Sequence, residues 1–318
     1  MIAAPLEGTE ESMRYGYIGL GHLGAQLAGS LLREGFALTV HDANKTNAEK
    51  LLNRGARWAD SPKALAQGCD AVVTCLPSPS VSEAVLTGPE GILAGLPAGG
   101  AWIEMSTLGR DDILALAAKA KAKGIETLEA PVTGGVHRAA AGEITVLAGG
   151  DKTLFETHRP ALEAMGGEIF HMGPLGSAAV IKVITNMLAF IHLVAAGEAL
   201  MLAKRGGLDL AQAFHAIKAS SGNSFVHETE SQLVLNGSYD IGFTMDLAVK
   251  DLGFAMGFGR EFGVPLDLAG LTMQTFIRGR ETYGGKAWST QVVKLLEDAL
   301  HTNLRAPGFP AKLEGDQP

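Results

Sequence analysis

Cysteine is nearly absent from this chain, and the two that occur cannot pair. Cys69 and Cys75 lie six residues apart, beside and within one expected strand. That spacing separates their side chains by about 20 Å, beyond the reach of a disulfide. It carries no metal-ligand signature either, so no metal is expected and a reducing, cytoplasmic setting is. Basic clusters are also missing. Lys and Arg number 26 against 34 Asp and Glu, for a formal net charge of -8. Without a run of cations the chain has no footprint for nucleic acid. Internal repeats and low-complexity segments are absent. The stretch up to Arg14 carries Glu7, Glu10 and Glu11 and no apolar core. It reads as a loose tail over 1–13, not as a signal peptide.

What is present is enough chain for two cores: 318 residues, 47% of them hydrophobic, with 41 glycines. From Tyr15 to about Gly173 short apolar strands alternate with helices. Strands are expected at Tyr15–Ile18, Leu38–His41, Ala71–Leu76, Trp102–Glu104, Thr127–Leu128 and Ile144–Ala148. Helices are expected at Leu23–Glu34, Ala48–Arg54 and Asp111–Lys123, with Ser61 and Pro62 marking a further helix start. Alternation without a hairpin signal predicts an α/β, doubly wound parallel sheet of Rossmann type over 14–175. After Gly176 the strand signal stops. An all-helical domain is expected over 176–304, with helices at Leu210–Ser220, Met245–Phe262, Leu266–Tyr283 and Ser289–Leu300 after the first. The Pro- and Gly-bearing residues 305–318 read as a loose tail.

The first helix of that half is the longest apolar run, Ala178 to Ala203. Its length suits a membrane span. Lys182, Asn186, His192 and Glu198 within it favour a protein-packed helix, so no membrane partner is expected. Lys182 is a lone ammonium in that run, where an unpaired charge costs several kcal/mol by usual burial estimates, about 3–5. Asn186, four residues on, shares its face, and Leu193 continues it, while His192 and Glu198 point elsewhere. A Lys and an Asn aimed into a cleft can hold a carbonyl or oxyanion and pass it a proton. A snorkelling Lys with its tip in water is the alternative.

Four further sites carry chemistry. Gly19, Leu20, Gly21, His22, Leu23 and Gly24 follow the first strand and open a helix, which is the setting that gives a glycine-rich turn meaning as a dinucleotide loop. Asp42 ends the second strand and would accept from ribose hydroxyls, or serve only as a solvated turn. Ala43 follows it where an Arg would greet a 2′-phosphate, so NAD is favoured, with Lys45 and His41 leaving NADP open. Thr133, Gly134 and Gly135 offer a hydroxyl and exposed amides for a carboxylate, although a tight structural turn looks the same. Lys250 and Asp251 are adjacent on a helix preceded by Phe243, which taken alone is an ordinary solvated pair.

Together these segments resemble the β-hydroxyacid dehydrogenase family, which includes 3-hydroxyisobutyrate dehydrogenases and tartronate semialdehyde reductases. The resemblance spans about residues 14–300. GLGHLG is similar to the family's dinucleotide loop, CLPSPSV to its loop after the fourth strand, and EMSTLGR to its Ser-Thr segment. EAPVTGG, GPLGSAAVIKVITN and VKDLGFA resemble its substrate loop, catalytic helix and C-terminal Lys-Asp motif. The resemblance implies Lys182 as proton donor and acceptor with Asn186 as its partner. It implies Thr133, Gly134, Gly135 and Phe243 at the substrate. It places Leu76, Pro77, Thr107, Lys250 and Asp251 with the glycine loop and Asp42 on the cofactor side.

The implied reaction is NAD(P)-dependent hydride transfer between a short 3-hydroxy acid and its semialdehyde or keto acid, with 3-hydroxyisobutyrate as the default. Several positions depart from the family pattern: Glu129 for Asp, Thr133 for Ser, Arg110 for Pro, Ala178 for Gly and Thr185 for Asn. His137 and Arg138 replace a Gly-Ala pair and suit a more highly charged substrate, and an acid expected near Trp288 and Ser289 is missing. These bear on substrate identity, not on reaction type. An imine reductase on the same fold is the competing enzyme, against which Lys182 weighs. A non-catalytic dinucleotide-binding scaffold is the alternative from another class. The apolar stripes of the helical half (Leu188, Leu193, Leu200; Phe254, Phe258, Phe262) point to a homo-oligomer, a dimer or tetramer.

Overall fold

The computed structural model describes residues 13–313; the tail expected before them lies, but for Met13, outside the described residues. Six strands form one parallel sheet: β1 (Tyr15–Ile18), β2 (Leu38–His41), β3 (Arg57–Trp58), β4 (Ala71–Thr74), β5 (Ala101–Glu104) and β6 (Glu126–Glu129). Their order is β3-β2-β1-β4-β5-β6, which is the Rossmann order with its switch point between β1 and β4. Alternation along each strand feeds two cores. Tyr15, Tyr17, Val73 and Ile103 face one side, with Leu27 and Leu31 of helix Gly24–Arg33 and Phe155 of helix Lys152–Met165. Ile18, Val72 and Trp102 face the other, against Leu65, Leu86, Ile113 and Leu116. Both faces of the central strands β1, β4 and β5 are covered, so every residue in them is buried instead of alternate ones.

The register aligns the carboxyl ends in one row, with Ile18 beside His41 and Thr74, Thr74 beside Glu104, and Glu104 beside Glu129. Every loop that follows these residues therefore opens on the same edge of the sheet. Ser61 caps its helix as the sequence suggests, its side chain accepting from Ala64 N at 3.1 Å.

The strand Ile144–Ala148 does not join the parallel sheet. It is the centre of a separate sheet with β7 (Val132–Thr133) antiparallel on one side, itself as β8, and β9 (Gly166–His171) parallel on the other. The sequence shows no hairpin signal here because a short helix, Val136–Ala141, separates β7 from β8.

Helix Ser177–Arg205 then runs 29 residues, about 44 Å at the usual rise. It is long and apolar enough to cross a membrane by that measure alone. Here one face, including Phe190, Leu193, Leu200 and Met201, is buried against helices Phe225–Asn236, Met245–Phe262 and Asp267–Tyr283. The helix Phe225–Asn236 was not expected from the sequence, because its HETESQ centre masks apolar positions at Val226, Leu233 and Val234. The expected helix Ser289–Leu300 is a 3-10 turn, Ser289–Val293, followed by the helix Lys294–Ala299.

The C-terminal segment corrects a sequence expectation. Residues 305–313 are docked, not loose. Glu297 is 2% exposed, and its Oε1 accepts from Leu304 N at 2.6 Å and Arg305 Nη1 at 2.9 Å. Arg305 also donates to Val234 O at 2.8 Å and to the Tyr239 hydroxyl at 2.7 Å, and the Phe309 ring meets Phe214 at 4.9 Å. A buried carboxylate demands donors, and this segment supplies them. Residues 314–318 lie outside the described residues.

Candidate active site

The cleft starts where β1 and β4 part. Gly19 has φ +97, and a Cβ there would sit 2.3 Å from Cys75 O, so only glycine lets the chain leave β1 so close to β4. A Cβ on Gly24 would lie 2.0 Å from Gly19 O, whereas one on Gly21 would meet nothing within 4 Å. Gly21 thus faces open space, and no side chain caps the N-terminus of helix Gly24–Arg33. That is a cradle a pyrophosphate fits, with a free helix terminus at its base. Asp42 fixes the cradle from β2: its Oδ2 accepts from Leu20 N at 2.6 Å, and its Oδ1 from Asn44 N and Asn47 Nδ2 at 2.8 and 3.1 Å. His22 stands exposed on the loop, its ring edge-on to Trp288 of the helical domain at 5.9 Å.

Beside this cradle the loops after β4 and β5 are tied together. Leu76 N donates to Ser106 Oγ at 2.7 Å, and Ser106 N donates to Glu104 Oε1 at 2.7 Å. Glu104 is buried, and that burial pushes its carboxyl above the usual range, against pulls from Ser106, Ser82 and Thr74. Leu76, Pro77 and Thr107 therefore lie on one braced shelf.

Lys182 reaches this region from the second turn of helix Ser177–Arg205 and is 8% exposed. Its Nζ donates to Asn186 Oδ1 at 2.7 Å, and Asn186 Nδ2 donates to Asp251 Oδ2 at 2.6 Å. These two bonds orient the Asn186 amide, oxygen toward the ammonium and nitrogen toward the carboxylate. Lys250 Nζ lies 2.8 Å from Asp251 Oδ1, an ion-pair contact outside hydrogen-bond angles, and donates to Thr107 O at 2.8 Å. One polar chain thus runs Lys182–Asn186–Asp251–Lys250–Thr107, from the long helix to the β5 shelf. Burial lowers the Lys182 pKa to about 8; Asp251 opposes that shift and Lys250 adds to it.

Asp251, expected on the cofactor side, is enclosed by protein groups. It is 1% exposed, with its carboxylate between Asn186 and Lys250. It sets the local charge from behind Lys182.

Thr133, Gly134 and Gly135 lead from β7 into helix Val136–Ala141, and the long helix packs on β7 and β8. The two glycines have φ +125 and +89, conformations that turn successive amides outward. The Phe243 ring lies 5.9 Å from Phe190 on the long helix, and the adjacent Gly242 packs beside Val136. His137 stacks on the half-exposed Phe225 at 6.3 Å, and burial, with Arg138 next, lowers its pKa. Arg138 lies with its stem over Gly134. A separate cavity of about 300 Å³, lined by Val194, Gly197, Thr275, Val292 and Leu296 among others, lies beside the long helix and includes none of these residues.

The structure brings Lys182, Asn186, Lys250, Asp251 and Thr107 into contact, and sets the glycine loop at the switch point. Sequence reasoning assigned no role to Glu104, Ser106 or Glu129. Glu104 and Glu129 end β5 and β6 at the carboxyl edge of the sheet, and an acid at that strand position was the available signal. Among the described residues no three His, Cys, Asp or Glu side chains gather as a metal site.

Comparison with known proteins agrees with this geometry. Residues 14–173 match the model for the NAD binding domain of 6-phosphogluconate dehydrogenase. Residues 176–296 match that for the NAD-binding domain of NADP-dependent 3-hydroxyisobutyrate dehydrogenase. The chain is 33% identical over 289 residues to a 2-(hydroxymethyl)glutarate dehydrogenase of Eubacterium barkeri, covering 91% of this chain and 96% of that one. It is 35% identical over 246 residues to an NAD-dependent L-serine dehydrogenase of Pseudomonas aeruginosa, covering 75% and 83%. The crystal structure of a 3-hydroxyisobutyrate dehydrogenase from Salmonella typhimurium superposes with a TM-score of 0.83 at 31% identity, covering 89% of this chain and all of that one. The chain belongs to the β-hydroxyacid dehydrogenase family and is an NAD(P)-dependent oxidoreductase of hydroxy acids.

Proposed function

We propose that the protein interconverts a 3-hydroxy acid of the form HOCH2–CHR–COO⁻ and its semialdehyde, with Lys182 as the acid–base group and NAD preferred. The polar chain from Lys182 to Thr107 carries this reading, because it presents a partly desolvated amine beside the cofactor shelf. Of the substrates in the relatives' names, 2-(hydroxymethyl)glutarate, L-serine and 3-hydroxyisobutyrate share that core and differ in R, whereas L-threonate carries its 3-hydroxyl on a secondary carbon. 3-Hydroxyisobutyrate is the simplest of them, with R a methyl group.

A bound nicotinamide would supply the hydride chemistry at the carbinol carbon, as acceptor in oxidation and donor in reduction. In oxidation, neutral Lys182 Nζ takes the hydroxyl proton while the C–O bond becomes a carbonyl. In reduction the ammonium returns that proton to the carbonyl oxygen. Asn186 holds Lys182 in line through its amide oxygen, itself fixed by Asp251. The amides of Gly134 and Gly135 with the Thr133 hydroxyl hold the carboxylate, and Phe243 excludes water behind R. Leu76, Pro77 and Thr107 would face the nicotinamide, and Gly19 to Gly24 the pyrophosphate. Asp42 supports NAD, since its carboxylate repels a 2′-phosphate, and Lys45, 5.2 Å above the Trp58 ring, is drawn aside.

A homo-oligomer fits the outer face of the long helix. Ile184, Leu188 and Leu202 are exposed there, the last by 76%. Such a stripe is covered by a second subunit in many enzymes. The burial of one face of the long helix in the helical core supports a soluble enzyme, and two free cysteines fit a reducing, cytoplasmic setting.

The test is nicotinamide absorbance with NAD or NADP and a panel of 3-hydroxyisobutyrate, L-serine, 2-(hydroxymethyl)glutarate, 3-hydroxypropionate, glycerate and 4-hydroxybutyrate. Turnover on members bearing HOCH2–CHR–COO⁻, absent in Lys182→Ala, is the expected result. Turnover retained in that variant would remove Lys182 from the mechanism.

A further inference from the structure

We infer that Glu129 is a positioning residue: its carboxylate caps the catalytic helix from the end of β6 and thereby sets where Lys182 stands against the cofactor shelf. The inference rests on the acid–base role proposed for Lys182.

The helix that carries Lys182 starts without a cap of its own. Gly176 occupies the N-cap position with φ +95 and no side chain. The first amides of a helix have no intrahelical acceptor, and leaving them unpaired in a buried place is costly. Glu129 is 2% exposed and fills that gap from 47 residues away. Its Oε1 accepts from Gly176 N at 2.5 Å and Ala178 N at 3.0 Å, and its Oε2 from Ala179 N at 2.9 Å. Both oxygens are used on one helix end, so the helix can neither slide nor rotate without breaking a charge-assisted bond. Burial pushes the Glu129 carboxyl up, and the three amides pull it back.

The surroundings are shaped around this contact. Glu129 pairs by backbone with Gly149, N to O in both directions at 3.0 and 2.9 Å. A Cβ on Gly149 would lie 2.3 Å from Glu129 Oε1, so glycine there leaves room for the carboxylate. On the other side the Arg110 stem covers Gly176, and its guanidinium pairs with Glu261 at 3.1 Å. Lys182 follows Ala178 by one turn, so an error at the cap is carried directly to its Nζ. Displacement near 1 Å costs about a hundredfold in rate for well-oriented reactions.

Glu129→Gln keeps the size of the side chain and turns one acceptor into a donor facing amide donors. Gly149→Ala displaces the carboxylate and keeps its charge. Both are measured for turnover, for NAD dissociation constant by fluorescence, and for amide exchange by mass spectrometry. The expected result is a fall in kcat of about 10- to 100-fold with NAD affinity within about twofold. Amides of 176–179 should exchange faster, while those of 186–200 stay protected. A variant that turns over within about twofold of the parent, or exchanges at 176–179 as the parent does, overturns the inference. If Glu129→Gln does not fold, Gly149→Ala decides. The exchange and NAD measurements need no substrate. A parent without turnover on the panel therefore defeats the proposed function, while unchanged exchange in the variants defeats the cap.

Discussion

Lys182 owes its chemistry to a balance in which loss of water outweighs nearby countercharge. Burial takes its pKa down to about 8, Lys250 pushes the same way, and Asp251 resists. Below that value the ammonium dominates and above it the amine. Oxidation of the hydroxy acid needs the amine, so its rate should rise with pH and level off above an inflection near 8. Reduction needs the ammonium and should fall through the same inflection. Asp251→Asn removes the opposing charge and should move the inflection down; Lys250→Met should move it up. Profiles of kcat/KM in both directions check this, and parallel profiles in the two directions would contradict it. Lys182→Ala should cost about 10²- to 10⁴-fold in kcat and leave NAD affinity near that of the parent, because Lys182 touches none of the glycine loop.

At the scale of the element, the glycine loop and the long helix show two uses of a residue without a side chain. Gly19→Ala would place a methyl 2.3 Å from Cys75 O at a φ of +97. The strain is of the order of 1–3 kcal/mol, and the loop must move to relieve it. NAD affinity should fall at least about tenfold, a 1.4 kcal/mol effect, as read by fluorescence titration. Retained affinity would mean that the loop does not hold the cofactor.

The same loop was legible in the sequence, since glycine spacing after an apolar strand is a local pattern. So were β1, β2, β4, β5 and β8, whose apolar runs are bounded by turn residues. β3 and β7 are two residues each and carry too little pattern. β9 is largely exposed and shows no apolar run. Helix Phe225–Asn236 hides its buried face behind polar residues, and only its Ser224 cap, accepting from His227 N at 3.0 Å, marks the start.

Across the whole molecule, polar contacts join parts that the sequence separates. Lys250 to Thr107 and Arg110 to Glu261 tie the helical domain to the sheet. The end of the chain closes the helical core through Arg305, Leu304 and Phe309. Truncation after Asn303 would leave Glu297 buried without Arg305 or the Leu304 amide. Glu297 would keep the Tyr239 hydroxyl, but taking the ionic partner from a buried charge costs about 3–5 kcal/mol, so the melting temperature should drop by several degrees or more. Calorimetry showing an unchanged transition would mean the segment adds nothing.

By itself the sequence determined what depends on near neighbours: the strand-helix alternation, the glycine turn, and the helix that puts Lys182 and Asn186 one turn apart. Backbone conformation and periodicity are local properties, so they are written locally. Tertiary structure alone decided the partners: Glu129 at the catalytic helix, Asn186 on Asp251, and Lys250 on Thr107, across 47, 65 and 143 residues. A buried charge takes whichever complementary group packing brings to it, and packing is settled by the whole core at once.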